Sequence, residues 1–196
     1  RRTHRWDGKR VLMYSGNLSP VHPVDTVLEA ARQLRDDPRL LFVFVGGGQG
    51  RDAIARYVAE HALHNVQLLP YQPIADLPES LSAADVHLVA MGPNMVGIVH
   101  PSKIYSALAV ARPVLALGPR HSHIAELVLE HGIGWHVEHG DSAGAVRALR
   151  ELASEDGASL VARGERAARL VQARFDKRTL LAEFCRRLAS TGSQTA

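Results

Sequence analysis

The sequence has one cysteine, few aromatic residues and no long hydrophobic segment. Cys185 alone excludes an internal disulfide framework and is typical of a reducing compartment, and its apolar neighbour Phe184 predicts a packed rather than a reactive thiol. No apolar run approaches the roughly 18 residues of a membrane span, and no signal peptide is recognisable. Aromatic residues make up 5% of the 196 residues, too few for a surface on which single-stranded nucleic acid stacks.

Positive charge exceeds negative charge only slightly, with 23 Lys and Arg against 20 Asp and Glu. The first ten residues contain five basic residues and one acidic residue, which gives +4 there and leaves −1 for the other 186 residues. The basic character therefore belongs to one terminal segment rather than to a basic face. We expect no nucleic-acid partner.

Short apolar runs alternate with amphipathic helical patterns along most of the chain. The runs predict strands at 10–15, 40–45, 66–69, 85–90 and 113–117, with a short edge strand at 134–137. Helices are predicted at 24–34, 51–62, 77–83, 103–110 and 122–130, and a helical C-terminal segment covers 142–188. Almost entirely apolar strands need cover on both faces, which predicts an α/β fold with a doubly wound, mostly parallel sheet of about six strands flanked by helices. This domain spans 10–190, before a disordered tail at 191–196.

Folds of this kind bind ligands at the carboxyl ends of their strands. Gly16 ends the first strand, and Gly46, Gly47 and Gly48 end the second. Glycines at a strand end let backbone N–H groups approach an anion. Neither loop has the spacing of a dinucleotide fingerprint or a P-loop, which argues against a simple NAD site or P-loop. A tight strand-to-helix turn explains the three consecutive glycines equally well.

Pro101, Ser102 and Lys103 form a second candidate anion site. Proline favours the first helical position, so the helix-start N–H groups, the Ser102 hydroxyl and the Lys103 ammonium are expected to converge on one point. No Asp or Glu occurs between Asp85 and Glu126, which suits an anionic ligand. The alternative is an ordinary proline-started helix with a solvated lysine.

Eleven histidines raise the question of a metal site. Closely spaced pairs include His61 with His64 and His121 with His123. His61 and His64 close a predicted helix, where histidine ordinarily complements the dipole, and His121 and His123 lie in a loop with no acidic neighbour, so we expect no metal. His22 differs because it lies on the loop after the first strand, opposite the candidate phosphate site, where it can donate a hydrogen bond to a phosphate or a substrate hydroxyl.

Six segments occur in an order that resembles a known family. They are YSGNL at 14–18, FVGGG at 44–48, LPYQP at 69–73, LPESLSAAD at 77–85, PSKIY at 101–105 and ARPV at 111–114. Over about residues 8–190 the chain resembles the C-terminal, donor-binding half of GT-B glycosyltransferases of group 1 (GT4-like). Within that family it is most similar to bacterial members that act in exopolysaccharide and cell-envelope assembly.

The resemblance implies a Rossmann-like domain that binds a nucleotide-diphosphate-sugar donor, with a UDP-sugar favoured. It implies sugar transfer to a glycan or lipid-linked acceptor, with retention of anomeric configuration and without an obligatory metal or other cofactor. The acceptor would be held by an N-terminal domain absent from this chain, so residues 1–9 are interpreted as an interdomain linker remnant and the chain alone is expected to be inactive. The resemblance also implies a cytoplasmic protein and allows peripheral association with the inner face of the membrane through that N-terminal domain.

The resemblance assigns site residues by position. Lys103 and His22 are expected to be catalytic, with Lys103 neutralising the diphosphate leaving group. The residues expected around the diphosphate and sugar are Gly16, Asn17, Val96, Gly97, Ser102 and Lys103. Those expected around the nucleotide are Gly46, Gly47, Gly48, Tyr71, Gln72, Leu77, Tyr105 and Ser106.

Two positions depart from the family pattern. Val96 stands where the family commonly has a glutamate that contacts the donor sugar, and Ser106 stands where it has a glutamate that holds the ribose hydroxyls. Ser106 keeps a hydroxyl for the ribose, whereas Val96 offers the sugar no polar group. These departures favour a second hypothesis, a nucleotide-sugar-binding module without transferase activity. A third, a nucleotide-sugar epimerase-like half, predicts more acidic and histidine groups at the strand ends than the sequence contains.

Overall fold

The structure is a computed structural model that describes residue 1 and residues 4–192. Its strands are β1 (Arg10–Ser15), β2 (Leu40–Val45), β3 (Val66–Leu69), β4 (Val86–Ala90), β5 (Val114–Leu117) and β6 (Gly134–Val137). Its helices are α1 (Asp25–Gln33), α2 (Gly50–Glu60), α3 (Leu77–Ser82), α4 (Lys103–Ala109), α5 (His123–Glu130), α6 (Ser142–Ser154), α7 (Gly157–Arg174) and α8 (Lys177–Gly192). None of the helices within this described part is long and apolar enough to cross a membrane.

The six strands form one parallel sheet in the order β3-β2-β1-β4-β5-β6. β1 and β4 are central neighbours because the chain crosses back over the sheet after β3. β2, β4 and β5 are buried along their whole length, as expected for apolar strands covered by helices on both faces. The structure therefore confirms the predicted α/β fold, a Rossmann-like doubly wound sheet with a helical C-terminal segment, and β6 lies at the edge as predicted.

Apolar side chains fill both faces of the sheet. Neighbouring residues of a strand point to opposite faces, so Leu12 and Tyr14 of β1 join a core cluster with α1 and α6, whereas Val11 and Met13 join a smaller cluster with β2. A further cluster packs β4 and β5 against α4, α5 and α7. α1 and α4, which follow the two central strands, thus lie on opposite faces of the sheet.

The segment before β1 packs against the domain. Trp6 is buried, and its indole N–H donates to Gln67 Oε1 at 2.8 Å. The Arg1 guanidinium donates to both carboxylate oxygens of Asp85, at 3.1 and 2.7 Å. Asp85 also accepts the Val11 amide at 2.7 Å. The segment that the sequence suggests is a linker remnant is therefore held to the amino ends of β1 and β4.

The C-terminal helix differs from expectation in two respects. α8 runs to Gly192, so it includes the first two residues of the predicted tail, and 193–196 lie outside the described residues. Cys185 is exposed on α8, and the neighbouring Phe184 is 59% exposed. The expectation of a packed thiol is wrong because this part of α8 turns Phe184 and Cys185 outward rather than into the core.

Candidate functional site

A cleft lies at the carboxyl ends of the central strands. The neighbouring strands β1 and β4 are followed by helices on opposite faces of the sheet. The loops that leave these two strands therefore diverge, and a crevice opens between them. The cleft has a volume of about 200 Å³. It is lined by Ser15, Gly16, Val45, Tyr71, Gln72, Leu77, Leu81, His87, Leu88, Val89, Lys103 and Ser106. The structure thus brings together six of the predicted site residues, namely Gly16, Tyr71, Gln72, Leu77, Lys103 and Ser106.

Gly16 and Gly46 bring the loops after β1 and β2 into backbone contact. A Cβ on Gly46 would lie 2.0 Å from the Gly16 carbonyl oxygen, and the φ of Gly46 is +134°. The Gly16 amide donates to the Val45 carbonyl at 2.9 Å, and the Leu18 amide donates to the Gly47 carbonyl at 2.7 Å. Position 46 therefore requires glycine for both its conformation and its close approach to the neighbouring loop.

Tyr71, just after β3, covers the glycine turn. A Cβ on Gly46 or Gly47 would lie 3.2 or 3.1 Å from carbons of the Tyr71 ring, so the ring rests on the glycine backbone. The Arg51 guanidinium also holds this turn, donating to the carbonyls of Gly46 and Leu69 at 2.9 and 3.0 Å. Because Tyr71 is 59% exposed, its ring offers the cleft a flat apolar surface that suits a planar base.

Lys103, the first residue of α4, places its ammonium group beside Gly16. A Cβ on Gly16 would lie 3.6 Å from the Lys103 Nζ. The ammonium donates to the Tyr14 hydroxyl at 2.5 Å and lies 3.8 Å from the centroid of the Tyr14 ring. Burial lowers the pKa of Lys103 to about 8. A cation whose charge burial disfavours gains strongly from an anionic partner.

Among the residues that the structure describes, no acidic side chain lines the cleft. His87 lies at its base, where its Nε2–H donates to the Leu81 carbonyl at 3.0 Å. Burial lowers the pKa of His87 to about 4, so this ring is neutral at pH 7. The formal charge of the described lining is therefore the single positive charge of Lys103, in agreement with the acid-free sequence around it.

His22 lies near Lys103 but does not line the cleft. Burial and the Lys103 ammonium lower the pKa of His22, and a hydrogen bond with the Ala90 backbone opposes them. The His22 Nδ1 is buried and has no hydrogen-bond partner among the described residues. His22 is therefore neutral at pH 7 and lies close to Lys103, the other residue that the resemblance expects to be catalytic.

Several predicted residues lie outside the lining of the cleft. Ser102 is exposed at the start of α4, and Val96 and Gly97 are exposed on the loop between β4 and α4. Asn17 occupies the space beside Gly48, since a Cβ on Gly48 would lie 2.1 Å from the Asn17 Oδ1. None of these four residues is among those that line the cleft.

Tyr105 belongs to a different cluster. Its hydroxyl lies 2.8 Å from the His100 Nε2 and 3.5 Å from the His123 Nε2, and its ring packs on Phe175 with centroids 4.8 Å apart. Ser106 lines the cleft instead, because successive residues of a helix are turned by about 100° around its axis. The structure therefore separates the two residues that the resemblance places together at the ribose.

Two residues at the site carry no role in the sequence-based interpretation. Tyr14 touches Lys103, and Arg51 holds the glycine turn. The one available signal for Tyr14 is its hydroxyl, which ends the otherwise apolar run VLM of the first strand. Arg51 offers no signal, because an arginine at the start of a surface helix is ordinary.

The geometry suits a ligand that joins an anion to a flat ring. Lys103 supplies the positive charge, the Tyr71 ring supplies the flat surface, and the Ser106 hydroxyl lies in the same cleft. The described part of the chain has no group of three or more His, Cys, Asp or Glu side chains that could hold a metal ion.

Two curated proteins are similar to this chain in sequence. The chain is 29% identical over 155 residues to WbjE of Pseudomonas aeruginosa, which is named as a glycosyltransferase, covering 79% of this chain and 38% of WbjE. It is 33% identical over 121 residues to WcaI of Escherichia coli (strain K12), named as a colanic acid biosynthesis glycosyl transferase, covering 62% of this chain and 30% of WcaI. The chain thus spans well under half the length of these curated relatives.

Solved structures show the same fold. Anabaena HepE in complex with UDP and glucose superposes with a TM-score of 0.76 at 21% identity, over 97% of this chain and 50% of HepE. The C-terminal domain of the Francisella tularensis group 1 protein LpcC superposes with a TM-score of 0.70 at 19% identity, over 90% of this chain and 91% of that domain.

The family match extends across most of the chain. The family described as "Glycosyl transferases group 1" matches residues 1–173, which include every strand of the sheet and all the residues that line the cleft. The resemblance stated from six short segments is therefore confirmed. This chain belongs to the group 1 glycosyl transferases.

Proposed function

We propose that this chain is the donor-binding domain of a retaining glycosyltransferase that uses a UDP-sugar. One observation carries the proposal: the half-buried Lys103 ammonium faces a cleft in which no described side chain is acidic. A buried cation without a carboxylate partner costs stability, and a diphosphate bound beside it offsets that cost. In transfer, the same charge would stabilise the nucleoside diphosphate as it leaves the sugar.

The relatives support the choice of donor. HepE structures contain UDP in one case and UDP-glucose in another, and each superposes on 97% of this chain. In this cleft, the uracil would lie against Tyr71, the ribose near Ser106 and the diphosphate between Lys103 and the loop at Gly16. Base stacking on an aromatic ring contributes about 1–3 kcal/mol without strong selection of the base, so the preference for uracil rests on the relatives.

The rest of the reaction is proposed from family membership. An N-terminal domain, supplied by the whole protein, would bind a glycan or lipid-linked acceptor and could bring the enzyme to the inner face of the membrane. His22, neutral and close to Lys103, would donate a hydrogen bond to the donor. Transfer would retain the anomeric configuration and need no metal, since Lys103 neutralises the leaving group. NMR of the product released by the whole protein would establish its anomeric configuration.

Calorimetric titration of this chain with UDP, GDP and dTDP tests the proposal. We expect UDP to bind with the highest affinity, and the affinity to be the same with EDTA present. Uridine provides the matched ligand without phosphate, and we expect it to bind much more weakly. Absence of binding by all three diphosphates would contradict the donor-domain function.

The affinity for UDP is expected to depend on pH through Lys103. Its pKa of about 8 in the free chain must rise when a diphosphate binds, because the anion favours the charged ammonium. The affinity should therefore begin to fall as the pH approaches 8 and be lower by about tenfold or more at pH 9.5. Titrations at pH 8.5 in buffers of different ionisation enthalpy should show proton uptake.

Lys103→Arg is the control for this pH dependence. Arginine stays protonated throughout this range, so its affinity profile should be flat between pH 7 and 9.5. Equal UDP affinity of the unmodified chain at pH 7 and pH 9.5 would contradict the titration of Lys103 between these pH values.

A second candidate function is a nucleotide-sugar-binding module without transferase activity. It is favoured by the loop between β4 and α4, where Val96 is 36% exposed and no acidic residue occurs. Turnover by the whole protein, compared with its Val96→Glu variant, separates the two functions. Activity gained only in the variant would identify the natural protein as a binder. The epimerase-like alternative is disfavoured because no described cleft residue is acidic and His87 is neutral.

A further inference from the structure

Tyr14 is a core residue whose hydroxyl reaches the candidate site. It lies on β1, its side chain is 1% exposed, and its ring packs on Phe44 with centroids 6.2 Å apart. The phenol extends along the sheet face to the edge where α4 begins, and there it meets Lys103. A residue buried by the fold thus places one polar atom against Lys103, which lines the cleft.

The direction of the hydrogen bonds is determined by chemistry. The Tyr14 hydroxyl lies 2.6 Å from the Asn17 carbonyl oxygen, which can only accept, so the phenol donates its proton there. The phenol oxygen then accepts from the Lys103 ammonium at 2.5 Å. Burial raises the pKa of Tyr14, which keeps the phenol protonated for this role.

These bonds tie two separate parts of the chain together. Asn17 belongs to the loop that begins at Gly16, whereas Lys103 belongs to α4 on the opposite face of the sheet. A free lysine side chain has many rotamers, and restricting them on binding costs entropy. Tyr14 restricts the ammonium and the loop before any ligand arrives, and preorganisation of this kind raises affinity.

We infer that Tyr14 is a positioning residue for the donor diphosphate, because its hydroxyl holds the Lys103 ammonium against the loop after β1. The inference rests on the proposed function for the identity of the anion. Tyr14 does not touch the ligand itself, since its proton is already donated to Asn17. Its contribution is made through Lys103: the hydroxyl orients the ammonium and, by accepting from it, favours its charged form.

Tyr14→Phe removes only the hydroxyl and keeps the ring in the core. We expect the Kd for UDP at pH 7 to rise about tenfold, because the diphosphate must then order the Lys103 ammonium itself. The pKa of Lys103, followed by NMR of its ε-carbon without ligand, should fall below that of the unmodified chain. The affinity for UDP should consequently begin to decline at a lower pH, while the affinity for uridine stays unchanged.

Tyr57→Phe is the matched control. Its hydroxyl donates to Glu29 Oε2 at 2.8 Å and lies outside the cleft. Tyr57→Phe also removes a phenol oxygen, and with it the hydrogen bond to the charged Glu29. In this variant the UDP affinity, its pH dependence and the pKa of Lys103 should all be unchanged. A general loss of stability would affect both variants, whereas positioning of Lys103 affects only Tyr14→Phe.

The outcomes are distinguishable. An unchanged Lys103 pKa in Tyr14→Phe, or equal losses of UDP and uridine affinity, would overturn the role of Tyr14. Failure of the unmodified chain to bind UDP would instead contradict the proposed function. If Tyr14→Phe does not fold, the unmodified chain provides the test. With three lysines in the sequence, the Lys103 signals are readily assigned, and absence of an NOE from its ε-methylene protons to the Tyr14 ring would overturn the inference.

Discussion

Lys103→Met is expected to abolish most of the affinity for UDP while leaving the fold intact. Methionine keeps the length of the side chain and removes the charge beside Gly16. A hydrogen bond to a charged group contributes about 1.5–3 kcal/mol, so we expect the Kd for UDP to rise about 10- to 150-fold in calorimetric titrations at pH 7. Turnover by the whole protein should fall further, by about 100- to 1000-fold, because the charge acts on the departing diphosphate.

The stability of Lys103→Met provides an internal check. Burial lowers the pKa of Lys103, so carrying the charge costs stability below about pH 8, and this cost disappears as the pH rises toward the unfolded-state value. The variant should therefore melt no lower than the unmodified chain at pH 7, even though it binds UDP poorly. Loss of binding accompanied by a large fall in Tm would instead indicate damage to the fold.

Lys177→Met is the control for this substitution. Lys177 is exposed at the start of α8 and lies outside the cleft. Its UDP affinity should match that of the unmodified chain, which separates a local contact from a change in overall charge. A Kd for Lys103→Met within twofold of the unmodified chain would remove the central support for a diphosphate site.

Gly46→Ala is expected to cause the largest loss of stability among the changes considered. The added methyl group would lie 2.0 Å from the Gly16 carbonyl oxygen, at a φ of +134° that L-residues rarely adopt. Strain and overlap together should cost about 3 kcal/mol or more, which corresponds to a fall in Tm of about 6–12 °C in a domain of this size. UDP binding should also weaken, because the turn must move away from Gly16 and Tyr71.

Gly157→Ala is the matched control for Gly46→Ala. Gly157 begins α7, and a Cβ there would meet nothing within 4 Å. Alanine favours the helix, so this variant should be as stable as the unmodified chain or slightly more stable. Differential scanning calorimetry of the two variants tests this prediction. Similar Tm values would show that the loops after β1 and β2 do not require glycine at position 46.

The sheet could be predicted well from the sequence because its strands are short apolar runs with clear ends. Strands at 10–15, 40–45, 66–69 and 134–137 agree with the structure residue for residue, since a glycine, a proline or a polar segment follows each run. Helix ends differ by one or two residues, because the last helical turn has no comparable marker. α8 could not be delimited, since its sequence continues without a helix-breaking residue as far as Gly192.

The candidate site could be predicted in part. The rule that ligands bind at the carboxyl ends of strands identified the loops at Gly16 and Gly46 and the lysine at 103, and the structure places all three together. The rule says nothing about the direction of a side chain on a short helix, so Tyr105 could not be separated from Ser106. The role of Tyr14 could not be predicted for another reason, because its hydrogen bond with Lys103 joins residues far apart in sequence.

The strand order also has a kinetic consequence. β1 first pairs with β2, which follows it closely in the chain, but its other neighbour is β4, through Leu12 with Val86 and Met13 with His87. The first three strands can therefore assemble early, whereas closing the sheet at this seam requires a long loop to be ordered, which is a slow step in folding. The cleft spans this same seam, with Gly16 on one side and Lys103 on the other. A bound nucleotide would thus contact both sides of the seam and favour its closure.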